Sequence, residues 1–69
     1  MENKFAENLK TLRVESGLSQ KKIALLAGVT QQCVSEWENK KIEPTLTCLW
    51  KLADIFEVSV DELIGRKEF

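Results

Sequence analysis

Apolar residues recur at helical spacing from the start of the chain. Phe5, Leu9 and Leu12 lie three or four residues apart, which predicts an amphipathic helix from about residue 3 to residue 16. Gly17 followed by Leu18 is typical of a helix end closed by a hydrophobic contact. No stretch alternates between apolar and polar residues, and no repeat or linker interrupts the pattern, so we expect helices throughout.

Two short helices joined by a tight turn are predicted between residues 19 and 39. Ser19 can cap the first helix by accepting a backbone N–H bond, and Thr30 can cap the second. Gly28, between them, adopts cheaply the left-handed conformation in which helices end. Ala24 is small enough for two helices to cross closely. This pattern predicts a helix-turn-helix unit.

The second of these helices, over about residues 31–39, has two contrasting sides. Val34 and Trp37 fall on the side that must be buried, at 100° per residue. The opposite side carries mostly uncharged hydrogen-bonding groups, whereas an ordinary exposed helix is rich in Lys and Glu. Amide side chains match the N6/N7 edge of adenine in the DNA major groove. We therefore predict a base-reading face. It consists of Gln31, Gln32, Ser35, Glu36 and Asn39.

The last third of the chain predicts two more helices. A loop ends at Pro44, and Thr45 can cap a fourth helix. Ser59 and Glu62 form a capping box that opens a short fifth helix, which Gly65 ends. The sequence thus predicts an all-α, compact five-helix bundle in a single domain, residues 1–69. The apolar stripe of the fourth helix is Leu46, Leu49, Leu52, Ala53 and Phe56.

Composition and charge narrow the function. A chain of 69 residues is near the lower size limit at which a single hydrophobic core is stable without disulfides or a bound metal. No apolar run approaches the roughly 18 residues of a membrane span, and the N-terminus lacks signal-peptide form, so we expect a cytoplasmic protein without membrane contact. Cys33 and Cys48 are expected to be reduced and partly buried.

The net charge of −1 and the pI near 5.4 oppose nucleic-acid binding at first sight. The charge is unevenly distributed, however. Residues 10–41 hold six basic and three acidic side chains, a balance of +3, whereas residues 42–69 hold three basic and six acidic ones, a balance of −3. The basic part coincides with the helix-turn-helix and can steer that face weakly towards phosphates.

The inventory of side chains argues against an enzyme. There is no His, and Cys33 has no base to activate it. Asp61 and Glu62 are adjacent and diverge by about 100° on a helix, where acids instead favour the helix N-terminus. We therefore expect no catalysis, no metal or cofactor, and no small-molecule effector.

The order and spacing of these residues resemble the sequence pattern of the lambda-repressor-like helix-turn-helix family, of the Cro/cI or xenobiotic-response-element type. Its members are small bacterial and phage DNA-binding regulators. The resemblance covers about residues 5–64. The matching positions are Leu9, Leu12, Arg13, 17–20, Ala24, 28–30, Val34, Ser35, Trp37, Glu38, Pro44, Leu52, Ala53 and 58–63.

The resemblance implies that the third helix enters the major groove while the second lies across the backbone. The residues placed against base edges are Gln31, Gln32 and Glu36, with Ser35 as a lesser candidate. The residues placed against phosphates are Ser19, Gln20, Thr30, Asn39, Lys40 and Lys41.

Arg13 and Glu38 each flank a buried face, so either they pair or both are solvated. The resemblance favours a pair that joins the first helix to the third. Lys40 stands where many relatives have glycine, so Asn39 or Lys40 must take a left-handed backbone at some cost. Glu36 places an acid on the reading face, where it either accepts from cytosine N4 or repels phosphate.

Leu25 and Leu26 occupy positions on the second helix that are usually polar in the family that the chain resembles. We expect at least one of them to pack in the core, and exposure of the other would indicate a partner. Trp50 and Phe69 are further candidates for an apolar contact, although a tryptophan at helical spacing is more often part of the core.

The predicted function is sequence-specific binding of double-stranded DNA by a small transcriptional regulator, expected to be a repressor. One helix covers only about 4–5 base pairs, so we expect a homodimer on a palindromic operator, joined through the fifth helix and residues 65–69. The alternative is a protein-interaction or antitoxin-like module with weak or no DNA binding. Net acidity and Glu36 support that alternative, whereas Gln31 and Gln32 oppose it.

Overall fold

The computed structural model describes residues 3–67, which contain five α-helices and no strand. The expected all-α, five-helix class is confirmed. Phe69 and the end of the expected dimer segment lie outside the described residues. Within residues 3–67, none of the helices combines the length and the apolar character needed to cross a bilayer. The helices are α1 (Phe5–Glu15), α2 (Gln20–Ala27), α3 (Gln31–Glu38), α4 (Leu46–Phe56) and α5 (Val60–Ile64).

Local hydrogen bonds fix where these helices begin. Ser19 Oγ accepts from the Lys22 N–H at 3.0 Å, and Thr30 Oγ1 accepts from the Cys33 N–H at 3.1 Å. Thr45 caps α4 in the same way. These predicted caps are confirmed, and each satisfies an amide that the helix itself leaves unpaired.

The predicted capping box at α5 also forms. The Ser59 N–H donates to Glu62 Oε1 at 2.9 Å, and the Glu62 N–H donates to Ser59 Oγ at 3.0 Å. The first of these bonds lowers the pKa of the Glu62 carboxyl because it stabilises the ionised form.

A single core lies between the five helices. α2 packs on α3, α1 lies behind α3, and α5 closes the bundle against α1 and α4. The Trp37 ring meets Phe5 edge to face, with centroids 6.1 Å apart and an interplanar angle of 79°, the arrangement that aromatic pairs prefer. The core residues are Phe5, Leu9, Leu12, Ile23, Ala24, Ala27, Val34, Trp37, Leu52, Ala53 and Leu63.

The expectation that Leu25 or Leu26 packs in the core is wrong. Their side chains are 70% and 48% exposed. The inward side of α2 is formed by Ile23, Ala24 and Ala27, and a step of 100° per residue turns the two leucines outward.

The predicted apolar stripe of α4 is only partly correct. Leu52 and Ala53 are buried, and Leu49 and Phe56 pack at the edge of the core. Leu46 is 73% exposed. It is the first residue of α4, lies to one side of the apolar stripe, and precedes the part of the helix that packs on the core. Trp50, one turn later on the same side, is 65% exposed and is not a core residue.

Candidate nucleic-acid interface

The helix-turn-helix is held by its corner and by its buried side. Gly28 has the left-handed conformation (φ 74°) that ends α2, and the Val29 N–H donates to the Ala24 carbonyl at 2.9 Å. On α3, Val34 and Trp37 are 0% and 2% exposed. The predicted helix-turn-helix and the predicted inner face of α3 are confirmed.

The outward side of α3 presents polar groups. Gln31 and Gln32 are exposed in its first turn, and Ser35 and Glu36 are half-buried further along. Within residues 3–67, neither glutamine side chain forms a hydrogen bond to the protein. Their donors and acceptors are therefore available to a ligand, as base contact requires.

Asn39 is committed to its own helix. Its Nδ2 donates to the Ser35 carbonyl at 2.9 Å and to Ser35 Oγ at 3.3 Å. The Ser35 carbonyl also accepts from the Asn39 backbone N–H at 3.0 Å, so both the backbone and the side chain of Asn39 close the end of α3. The Nδ2 group of Asn39 is thus already engaged within α3, and the contact with a phosphate that its backbone or side chain is predicted to make stays a prediction.

The predicted pair of Arg13 and Glu38 forms. Arg13 Nε lies 2.6 Å from Glu38 Oε2, and Arg13 Nη2 donates to Glu38 Oε1 at 3.1 Å. The two side chains are only 15% and 5% exposed. The hydrogen bond to Glu38 raises the pKa of Arg13, against a smaller lowering by burial, so the guanidinium remains charged.

Gln20 belongs to the same network, which the sequence did not reveal. Its Nε2 donates to Glu38 Oε1 at 3.1 Å, so Glu38 receives hydrogen bonds from both α1 and α2. The three helices are thereby tied together behind the reading face. The second amide hydrogen of Gln20 remains for its predicted phosphate contact.

Lys40 carries the left-handed backbone that follows α3, with φ 61°. Its N–H donates to the Trp37 carbonyl at 3.2 Å, and the Lys41 N–H donates to the Glu36 carbonyl at 2.9 Å. This is a Schellman end with lysine in the place that glycine usually takes. Lys40 Nζ lies 3.9 Å from Glu7 Oε1 in a pair that is 69% and 65% exposed and hence weak.

Replacing Lys40 by glycine should raise the free energy of unfolding by about 0.5–1 kcal/mol, because glycine adopts the left-handed conformation without strain. The gain is reduced because glycine loses more backbone entropy than lysine on folding. Chemical denaturation measures the change. Lys40→Ala is the matched control, since it removes the same charge but keeps Cβ. Equal stability of the two variants would contradict backbone strain at this position.

The cysteines are free and half-buried, and both pack against the core. Burial raises the pKa of the Cys33 thiol, and repulsion from Cys48 and Glu36 raises it further. A thiol that stays protonated at neutral pH is a poor nucleophile, so Cys33 serves as a packing residue.

Comparison with known proteins gives consistent matches. A family model described as "Helix-turn-helix", HTH_3, matches residues 9–63. The chain is 42% identical over 60 residues to the SPbeta prophage-derived uncharacterized HTH-type transcriptional regulator YonR of Bacillus subtilis. That match covers 87% of this chain and 56% of YonR. The chain thus spans little more than half of that relative.

Two solved structures are similar along most of the chain. A transcriptional regulator from Listeria innocua has a TM-score of 0.92 and 35% identity, covering 100% of this chain and 64% of the other. The restriction-modification controller protein C.AhdI from Aeromonas hydrophila has a TM-score of 0.80 and 33% identity, covering 87% and 91%. The similarity to C.AhdI extends over almost the whole of both molecules.

Proposed function

The chain belongs to the helix-turn-helix family that the HTH_3 model describes, and from this membership we propose that it is a sequence-specific, double-stranded DNA-binding transcriptional regulator. α3 lies in the major groove and α2 crosses the backbone. Regulation is steric repression in the cytoplasm, by occupation of a promoter. Relatives named as HTH-type transcriptional regulators support this proposal.

The observation that carries the proposal is the outward side of α3. Gln31 and Gln32 are exposed and have no protein partner within the described residues, and they are backed by the buried Val34 and Trp37. An amide side chain makes two hydrogen bonds to adenine N6 and N7. A rigid helix that displays two such groups side by side is suited to discriminate between base pairs.

A second set of residues positions the protein on the phosphates. Ser19 and Thr30 are exposed at the N-termini of α2 and α3, where the unpaired amides favour an anion. Lys40 and Lys41 are exposed beyond the other end of α3. Gln20 and Asn39 complete this proposed set.

The protein acts as a homodimer on a palindromic operator, because one reading helix selects too few base pairs. We place the dimer contact at α5 and the residues that follow it; among these, Arg66 and Lys67 are exposed. Light scattering tests this assembly. A mass that stays monomeric both free and on the operator would rule it out.

Selection of duplexes from a random library, followed by binding titrations at several salt concentrations, tests the function. For the dimer on its selected duplex we expect a log–log salt slope on the order of −4 to −8, since bound cations are released from each neutralised phosphate. A flat dependence, or no shift of any duplex at low salt, would contradict DNA binding.

Lys41→Ala should weaken binding to all duplexes alike and flatten the salt slope by about one per subunit. Lys41 is exposed and forms no ion pair within residues 3–67, so its stability cost is small. Titration against the selected duplex and its point variants measures the effect. A change in sequence ranking would show that Lys41 meets a base instead of a phosphate.

A protein-interaction or antitoxin-like module is the second candidate function. Leu25 and Leu26 on α2, together with Trp50 on α4, expose apolar surface for which residues 3–67 offer no cover. In that case the salt dependence of DNA binding is flat, and replacement of Leu25 by serine abolishes partner binding. The free amides of Gln31 and Gln32 make DNA binding the stronger proposal.

A further inference from the structure

Lys51 is one of the three basic residues in the acidic part of the chain, residues 42–69. It lies on α4, is exposed, and forms no ion pair within the described residues. Its ammonium group lies at the turn of the helix-turn-helix, since a Cβ added to Gly28 would stand 3.7 Å from Lys51 Nζ. The fold therefore carries this charge across to the proposed DNA-binding unit.

The position of Lys51 changes the electrostatics of that unit. By sequence, residues 10–41 carry a balance of +3 and the remainder of the chain is acidic. In three dimensions the Lys51 ammonium adds a further positive charge at the corner between α2 and α3. Thr30, a proposed phosphate contact, follows Gly28 by two residues, so its Cα lies within about 7 Å of the Cα of the glycine beside this ammonium.

We propose that Lys51 binds a DNA phosphate beside the turn that precedes α3, which makes α4 part of the DNA-binding surface. This inference rests on the proposed function. The sequence did not single out Lys51, because it lies 23 residues from Gly28 in the chain and outside the helix-turn-helix.

A purely structural role makes a different prediction. The ammonium group also lies near the C-terminal end of α2, where a cation stabilises the helix dipole. If that were its only role, Lys51→Gln would lower the melting temperature and leave DNA binding unchanged. Binding and stability must therefore be measured on the same variants.

The experiment compares the wild type with Lys51→Gln, Lys51→Arg and Lys10→Gln. The last variant removes the same charge from α1, at an exposed residue that forms no ion pair within residues 3–67 and lies outside the proposed DNA and dimer contacts, and serves as the control. Each is titrated with the duplex selected from the random library and with a mixed-sequence duplex of equal length, over a range of salt concentrations. Thermal melting of each variant is recorded in parallel.

We expect Lys51→Gln to flatten the salt slope by about one per subunit and to weaken both duplexes about five- to tenfold per subunit at 0.1 M salt. Lys51→Arg should keep the slope, and Lys10→Gln should match the wild type. Wild-type affinity and slope in Lys51→Gln would overturn the assignment of Lys51 alone. Failure of the wild type to bind either duplex would overturn the proposed function together with it.

Discussion

Arg13→Ala should lower the free energy of unfolding by about 3 kcal/mol and the melting temperature by about 15 °C. The change removes two hydrogen bonds from Glu38, whose side chain is only 5% exposed, and leaves its carboxylate with Gln20 as the remaining partner. A buried charge without its counter-ion is costly. Differential scanning calorimetry and urea denaturation measure the loss.

A double-mutant cycle isolates the pair from the effect of lost packing. We expect Arg13→Met combined with Glu38→Leu to cost less than the sum of the two single changes, because neither charge is then left alone. Additive losses would show that the two side chains contribute independently, in spite of their 2.6 Å contact.

Gln32→Ala should cost about 1–3 kcal/mol in binding to the selected duplex and should relax the preference at one base pair. Stability should not change, because the side chain is exposed and forms no hydrogen bond within the described residues. Competition among duplexes that differ at single base pairs measures the preference. An unchanged ranking would refute the reading face.

Gln31→Ala is the matched control for that measurement. It removes the same chemical group one residue earlier on α3, so it should relax the preference at a different base pair. Loss of preference at the same base pair in both variants would indicate that the helix has shifted in the groove. Lys41→Ala provides the opposite comparison, a uniform loss across sequences.

The ends of the helices could be predicted because they depend on neighbours in the chain. Ser19, Thr30 and Ser59 each accept an N–H bond from three residues ahead. Such contacts need no tertiary information. The buried side of α3 could be predicted equally well from the sequence, because a helical period of 3.6 residues fixes which positions face inward.

Most features that depend on packing between distant segments could not be predicted from the residues alone. The pair of Arg13 and Glu38 is favoured only by the family resemblance. The helical period of α2 does not determine how much of its surface the neighbouring helices cover. They bury only Ile23, Ala24 and Ala27, so Leu25 remains exposed. The bond from Gln20 to Glu38 likewise depends on how α2 crosses α3. For DNA contacts, the sequence supplies residue types through a family resemblance, and the fold supplies their exposure.

The contrasting surroundings of the two tryptophans make the protein suitable for fluorescence studies. Trp37 is 2% exposed and Trp50 is 65% exposed, so unfolding shifts the emission of Trp37 to longer wavelength and changes that of Trp50 little. In Trp50→Phe, the remaining indole lies on α3 and reports on its packing alone. That variant provides an optical probe on the same helix as the proposed reading face, which can be followed while a duplex is added.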